Sequence, residues 1–271
     1  MNTIFTSPTY KLEKLNYIYI VLTAKNCNQR CKQCYIKFPL SRNTKDFIDI
    51  NKIKEMLNDT KNEKLNCIYL TGAEPMTHPH FNNILRLCLK RTNVCICTNA
   101  SMINEKKARF LKKVEEESKY NLFFRISLSH YDEQKNDNAR YRGAYRQTIF
   151  AIKNLERYNL SVIAETINYY NEEENMLLEM YRKKFEEHGV NPEISLAQYF
   201  DIAKETQAPN NKPKDCTMSR TLSANGVYSC PMLAEDYRGR MGSSFQNYSK
   251  SVSAETDFCT SCSTCNISFG E

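Results

Sequence analysis

The chain lacks any apolar run long enough to cross a membrane, and its N-terminal stretch MNTIFTSPTYKLEKLN has neither the hydrophobic region nor the cleavage site of a secretion signal. These absences argue against a membrane protein and predict a cytoplasmic one. A basic block is also missing. The formal net charge of +7 is spread through Lys-rich segments such as residues 105–113, which argues against nucleic-acid binding and leaves room for an acidic substrate or partner.

Internal repeats, low-complexity tracts and the composition of a disordered chain are absent as well. The 271 residues are 41% hydrophobic and 25% charged, as in ordinary globular proteins. This length accommodates one full α/β domain and a small additional one. Cysteine, in contrast, is abundant. The 12 cysteines fall mostly in short-spaced groups, and a cytoplasmic location disfavours disulfides, so metal or cluster binding is the preferred interpretation.

Hydrophobic patterning predicts six strands that alternate with helices. The predicted strands cover residues 16–23, 66–70, 93–98, 122–128, 160–167 and 193–199. The predicted helices between them cover residues 47–57, 81–89, 105–115, 145–158 and 175–188. Such alternation indicates parallel βαβ units. Eight units would close a TIM barrel, so six predict an α/β fold in the form of a partial (β/α)6 TIM-like barrel.

The pattern changes after the sixth predicted strand and divides the chain into three parts. Residues 1–203 form the predicted barrel core, residues 204–215 a linker rich in Pro and Asn, and residues 216–271 a small C-terminal domain. Asn225-Gly226 within the last part predicts a hairpin. That part has little hydrophobic bulk, and so short a segment usually needs a bound metal to fold.

Three cysteines with the spacing CxxxCxxC, Cys27, Cys31 and Cys34, follow the first predicted strand directly. Three thiolates can bind one metal centre, but they leave a tetrahedral ion or a four-iron cluster one ligand short. An open position is a place for chemistry. For this octapeptide taken alone, a zinc knuckle or three unrelated buried thiols remain alternatives.

The cysteine loop resembles the signature of the radical S-adenosylmethionine (radical SAM) superfamily, in which a CxxxCxxC loop follows the first strand of a partial α/β barrel. The resemblance implies a [4Fe–4S] cluster on Cys27, Cys31 and Cys34, whose open iron chelates the amino and carboxylate groups of SAM. It implies reductive cleavage of SAM to methionine and a 5′-deoxyadenosyl radical that removes a hydrogen atom from substrate. An external electron donor such as flavodoxin or ferredoxin is then expected.

Residues past the second and third predicted strands extend the resemblance. The segment from Gly72 to Pro75 is similar to the family's GGEP motif, with Ala73 in place of the second glycine. The resemblance implies that Glu74 and nearby backbone carbonyls receive the SAM amino group. Asn99 belongs to a TNA segment similar to the family's TNG element, which implies a place near the SAM ribose.

Two further positions match the family pattern less closely. Ser127 begins a segment similar to the family's SxD element and is implied to contact SAM, although Ser129 replaces the aspartate. The family usually has an adenine-stacking aromatic residue just before the third cysteine. Here that position is Gln33, and Tyr35 just after the loop is the candidate.

Other polar and thiol residues have plainer interpretations. His78 is predicted to be structural, and Arg140 is more simply a helix-end charge than an anion-binding group. Glu165 is a substrate-facing candidate, but a salt-bridged structural carboxylate is preferred. The further substrate-facing candidates are His130, Tyr131, Gln198 and Tyr199, and the predicted buried thiols are Cys67, Cys88, Cys95 and Cys97.

The C-terminal cysteines resemble the twitch or SPASM extensions of some radical SAM enzymes, and Gly226 to Cys230 fits the expected hairpin exit. The candidate ligands are Cys216, Cys230, Cys259, Cys262 and Cys265. Because the full SPASM set of seven cysteines is not present, the resemblance implies a twitch-like module with one auxiliary [4Fe–4S] cluster. A structural zinc ribbon is the alternative.

Three functions follow from these patterns. Modification of a ribosomally made peptide is the first, with a separate recognition partner expected because only 26 residues precede Cys27. Radical oxidation of a small molecule such as an amino sugar is the second. The third, from a different class, is a zinc-stabilised binding protein without catalysis.

Overall fold

The structure is a computed structural model that describes residues 9–36, 45–198 and 215–253. Its strands form a nine-stranded sheet and a two-stranded one. In chain order the strands are β1 (Thr9–Lys11), β2 (Tyr17–Thr23), β3 (Cys67–Gly72), β4 (Asn93–Thr98), β5 (Leu122–Leu128), β6 (Ser161–Asn168), β7 (Glu193–Gln198), β8 (Ser219–Ser223), β9 (Gly226–Tyr228), β10 (Arg240–Gly242) and β11 (Ser251–Ser253).

Helices connect most of the parallel strands. They are α1 (Ile50–Asp59), α2 (Phe81–Leu89), α3 (Glu105–Glu116), α4 (Glu133–Ala139), α5 (Ala144–Arg157) and α6 (Glu174–Glu187). The first helix begins three residues later than predicted, because Phe47 forms a bridge with Thr23 and Asp49 caps the helix by accepting a hydrogen bond from the Asn51 amide. In the described residues, no helix is both long and apolar enough to cross a membrane.

The large sheet has the strand order β10-β9-β8-β2-β3-β4-β5-β6-β7. From β2 to β7 the strands are parallel and adjacent in chain order. The predicted α/β fold with six parallel strands and intervening helices is therefore confirmed. The carboxyl ends of these strands meet at one edge of the sheet, where ligands bind in such folds.

Strands β8, β9 and β10 extend the same sheet, which sequence patterning did not predict. Strand β8 pairs in parallel with β2, with Tyr17 opposite Ser219 and Ile20 opposite Leu222. Strand β9 then returns antiparallel to β8 through the predicted hairpin at Asn225. The predicted linker lies outside the described residues except for Asp215, and so do Cys259, Cys262 and Cys265.

Alternate side chains of each strand form two different surfaces. On the helix-covered face, residues such as Ile20, Leu70 and Ile96 belong to the main apolar core. On the opposite face, a smaller cluster contains the stacked rings of Tyr19 and Tyr69, whose centroids lie 4.6 Å apart. Of the thiols predicted to be buried in the strands, Cys67 and Cys95 are buried in this smaller cluster, whereas Cys97 is half-buried and packs against it. Cys88 lies in the main core, where burial raises its pKa to about 12.

Candidate active site

The cysteine loop follows β2 and contains three half-buried thiols, Cys27, Cys31 and Cys34. The Gln29 amide donates to the Cys27 sulfur at 3.3 Å, and the Cys34 amide donates to the Cys31 carbonyl at 3.2 Å. Burial raises the pKa of the Cys27 and Cys34 thiols, and the neighbouring cysteines raise it further. The three thiols therefore lie close enough to interact electrostatically, and a bound metal centre would displace their protons.

The donor set of this loop, three cysteine thiols, fits an iron–sulfur cluster, because cysteine thiolates are the usual ligands of such clusters. Three thiolates leave the fourth iron open to a ligand that the loop does not supply.

Side chains from the end of β5 and from α4 hold the loop in place. Ser129 Oγ accepts hydrogen bonds from the Gln33 side chain and from Arg140 Nε, the latter at 2.7 Å. Arg140 Nη1 donates to Gln29 Oε1 at 3.1 Å, and that oxygen also lies 3.5 Å from the Cys31 sulfur. The hydroxyl of Ser129 and the guanidinium of Arg140 thus reach the cysteine loop directly.

Arg140 lies at the end of α4, as the helix-end interpretation predicted, but its side chain is not a solvated charge. It donates hydrogen bonds to Ser129 and to Gln29 of the cysteine loop. Burial raises the pKa values of the Cys34 thiol and the Glu74 carboxyl, and the positive charge of Arg140 acts against that increase at both groups. The site therefore contains a cation near its thiols and its buried carboxylate.

Glu74 is completely buried and joins two loops at the carboxyl edge. Its Oε1 accepts from the Met76 amide at 3.1 Å and from Thr98 Oγ1 at 2.8 Å, and its Oε2 accepts from the Asn99 amide at 2.9 Å. Burial raises the pKa of this carboxyl, while the three hydrogen bonds lower it. A carboxylate has about four acceptor sites, so the chain satisfies most of them.

Asn99 lies where the sequence placed it, between β4 and the cysteine loop. Its amide nitrogen Nδ2 donates to Asn28 Oδ1 at 2.9 Å and lies 3.8 Å from the Cys27 sulfur. Ser127 is half-buried within β5, two residues before the Ser129 that contacts the loop. The structure therefore brings Asn99 and Ser129 to the cysteines, while the SAM contact assigned to Ser127 remains a prediction.

Tyr35 lies close enough to a loop cysteine and to Cys230 for both thiols to act on its hydroxyl. Burial raises the pKa of the Tyr35 hydroxyl, which hydrogen-bonds Thr71, and the thiols of Cys34, Cys97 and Cys230 raise it further. Cys216 is buried and Cys230 is half-buried. The adenine-stacking role expected for Tyr35 remains a prediction.

Gly72 ends β3 in a conformation that other residues rarely adopt, with φ of 123°. A Cβ added there would lie 2.3 Å from the Thr23 carbonyl oxygen, which accepts the Ala73 amide hydrogen bond. We expect Gly72→Ala to lower the free energy of unfolding by roughly 2 to 4 kcal/mol, since backbone strain and overpacking add. The matched control is Gly143→Ala, with φ of 88° and no atom within 4 Å of the added carbon, which should cost about 1 kcal/mol. Equal losses of unfolding free energy in the two variants, measured by urea unfolding, would contradict the close approach of Gly72 to the Thr23 carbonyl.

The substrate-facing candidates past β5 form an aromatic and charged cluster. His130 Nε2 lies 2.6 Å from Glu172 Oε2, and Lys135 also contacts that carboxylate. The rings of Tyr131 and Tyr170 lie 4.2 and 5.4 Å from the His130 ring, centroid to centroid. Glu165 forms an ion pair with Arg125 at 3.2 Å, as the preferred interpretation predicted. The side chain of Gln198 and all of Tyr199 lie outside the described residues.

Two buried histidines should make stability sensitive to acid. His78 Nδ1 accepts from the His80 amide and His130 Nδ1 accepts from the Asp132 amide, so neither nitrogen has room for a proton. Burial lowers both pKa values. The unfolded chain takes up these protons near pH 6.5, so stability is complete above that pH and is lost as the pH falls through the lower folded values. Urea unfolding between about pH 5 and 8 should show this loss. The double variant His78→Gln/His130→Gln should show a weaker dependence of the free energy of unfolding on pH. The same dependence as in the parent would contradict the prediction.

Comparison with known proteins agrees with this geometry. The chain is similar in fold to the structure described as anSMEcpe with bound AdoMet, at 16% identity and a TM-score of 0.66, covering 86% of this chain and 75% of that one. It is also similar to methylornithine synthase (PylB), at 13% identity and a TM-score of 0.53, covering 69% of this chain and 54% of that one. A third similar structure is BtrN in complex with AdoMet and 2-DOIA, at 12% identity and a TM-score of 0.51, covering 87% of this chain and 80% of that one. Identities this low show the fold alone.

No curated protein sequence matches the chain significantly. The family model for the radical SAM superfamily, whose members are enzymes that use a [4Fe–4S] cluster and SAM, matches residues 21–183. That range contains the cysteine loop, Glu74, Asn99 and Arg140 and exceeds half of the 271 residues. The chain therefore belongs to the radical SAM superfamily.

Proposed function

We propose that this enzyme binds a [4Fe–4S] cluster through Cys27, Cys31 and Cys34 and binds SAM beside it. When bound, the cluster supplies the electron that cleaves SAM to methionine and a 5′-deoxyadenosyl radical, which removes a hydrogen atom from the substrate. One observation carries the proposal. The three half-buried thiols lie at the same sheet edge as the Glu74 carboxylate and the Arg140 guanidinium.

The charged groups around the loop suit the two ends of the amino acid portion of SAM. Arg140 and Ser129 present N–H and O–H donors beside the cysteines, and a carboxylate is the partner that a guanidinium favours. Glu74 positions the residues that follow β3 and β4, and its negative charge attracts an ammonium bound beside them. We assign the SAM carboxylate to Arg140 and the SAM ammonium to the neighbourhood of Glu74.

The C-terminal segment is assigned one auxiliary [4Fe–4S] cluster. Cys216 precedes β8 and Cys230 follows β9, so the hairpin places both thiols beside the sheet. The other two ligands come from Cys259, Cys262 and Cys265. Such a cluster would accept the second electron of an oxidation or stabilise this end of the chain.

Peptide modification is the first candidate for the substrate class. Among structures of similar fold, anSMEcpe is described with AdoMet and the Cp18Cys peptide, at a TM-score of 0.65, and BtrN with 2-DOIA, at 0.51. The net charge of +7 suits an acidic peptide or an acidic recognition partner. Oxidation of a small molecule such as an amino sugar is the alternative.

The test is an anaerobic assay with reconstituted protein, SAM and dithionite. We expect formation of 5′-deoxyadenosine and methionine, and a reduction of at least about tenfold in SAM affinity for Arg140→Gln, because a charge-assisted contact is lost. Arg146→Gln is the matched control, since Arg146 is 80% exposed and pairs with Glu133. Deuterium transfer from labelled peptide or labelled sugar into 5′-deoxyadenosine separates the two substrate classes. A protein with stoichiometric zinc and no SAM cleavage would support the non-catalytic alternative.

A further inference from the structure

Arg220 is a fully buried cation in the C-terminal half of the sheet. It lies within β8, and none of its surface is exposed to solvent. Its Nη1 donates to the carbonyl oxygens of Cys216 and Ser219, at 2.8 and 2.6 Å, and its Nη2 donates to the Lys250 carbonyl at 2.9 Å. The guanidinium therefore joins the segment before β8 to the segment before β11.

The charge of Arg220 is not balanced by a carboxylate in the part of the chain that the structure describes. All three acceptors are neutral carbonyls, and Nε is buried without a hydrogen-bond partner. In comparison, the buried Arg125 has Glu165 as its ion-pair partner. A buried cation without a counter-charge is strongly unfavourable, and an orphaned buried donor adds a further cost. A missing anion would remove both costs.

The contact with the Cys216 carbonyl places the guanidinium beside this cysteine. Because β9 is antiparallel to β8, Cys230 after β9 lies at the same end of the hairpin as Cys216 before β8. The groups that act electrostatically on Arg220 are the thiols of these two cysteines and the Tyr248 hydroxyl. Tyrosine is neutral near pH 7, so only the thiols can supply negative charge under ordinary conditions. Neutral thiols do not balance a guanidinium, whereas thiolates bound to metal do.

We propose that Arg220 is the buried counter-charge of an anionic iron–sulfur cluster that Cys216 and Cys230 help to hold. The inference rests on the auxiliary cluster of the proposed function and gives it an electrostatic partner within the sheet. A cluster with four thiolate ligands is negatively charged and becomes more so on reduction. Arg220 therefore favours the reduced state and holds the reduction potential higher than it would otherwise be.

The test uses the full chain with Cys27, Cys31 and Cys34 replaced by alanine, so that only the auxiliary centre contributes signal. Iron, sulfide and zinc are quantified, and the midpoint potential is measured by EPR-monitored titration. We expect Arg220→Gln to shift the potential to a more negative value, and Arg220→Lys to stay near the parent because the charge is kept. Arg157→Gln, at a side chain 63% exposed, is the control and should not change the potential.

Arg220→Met fills the same buried volume with an apolar chain and should show the same negative shift if Arg220→Gln does not fold. An unchanged potential in the neutral variants, or an equal shift in Arg220→Lys, would overturn the inference. Zinc in place of iron in the parent would also overturn it. Zinc at the auxiliary site would not affect SAM cleavage by the unmodified protein, so it would leave the proposed radical chemistry standing. Conversely, if the potentials shift as expected but the unmodified protein does not cleave SAM, only the proposed radical chemistry is rejected.

Discussion

Replacing Cys27, Cys31 and Cys34 together with alanine is expected to remove one cluster's iron and abolish SAM cleavage. The three thiols lie in the loop that directly follows β2, beside Arg140 and Asn99. Without thiolates the loop has no iron ligands. Iron and sulfide analysis with Mössbauer spectroscopy gives the count, and the auxiliary cluster should persist.

Cys88→Ala is the matched control for this triple variant. Cys88 is buried in α2 within the main core, away from the cysteine loop, and the substitution should cost about 1 kcal/mol of stability. Its iron content and SAM cleavage should equal those of the parent. Undiminished iron in the triple variant would show that the loop does not bind the cluster.

The second large effect is expected for Glu74→Gln. Both carboxylate oxygens accept hydrogen bonds from the chain, two at Oε1 and one at Oε2. Glutamine has one acceptor oxygen, so its NH2 group must face at least one of these donors. An unsatisfied buried donor costs about 1 to 3 kcal/mol. Thermal unfolding should therefore show lower stability, and calorimetry should show weaker SAM binding with the cluster retained.

Glu156→Gln separates this effect from a general loss of negative charge. Glu156 is also partly buried, but its Oε1 accepts a single amide hydrogen bond from Asn191 at 2.9 Å, which glutamine can keep. We expect nearly unchanged stability and SAM affinity for that variant. Undiminished SAM affinity in Glu74→Gln would show that the carboxylate has no part in the site.

The fold was predictable from the sequence in the strands and helices whose buried apolar residues recur with a regular local spacing. The strands β2 to β6 and their helices have clear periodicity, which is why the fold class followed from the sequence alone. Strand β8 did not follow, because its sequence SRTLS is mostly polar and its partner β2 is about 200 residues away in the chain. Its burial depends on neighbours that no local pattern shows.

The site was predictable to the extent that its residues directly follow strands. The cysteine loop, Glu74 and Asn99 do so, and each lies at the carboxyl edge. The contact of Arg140 with the cysteine loop was not predicted, because the side chain reaches the loop only through the change in chain direction that α4 makes. The contact of Ser129 with the loop was not predicted, because Ser129 lies just past β5 and its hydroxyl reaches Gln33 and Arg140 only through the tertiary fold.

If the cluster on Cys27, Cys31 and Cys34 has an open iron, SAM should bind to it and change its spectrum. EPR of the dithionite-reduced protein before and after SAM addition tests this binding most directly. We expect SAM to change the spectrum of one cluster in the parent, to change it less in Arg140→Gln at equal SAM concentration, and not to change it in the triple alanine variant. A parent spectrum that SAM leaves unchanged at saturating concentration, with intact iron, would contradict it.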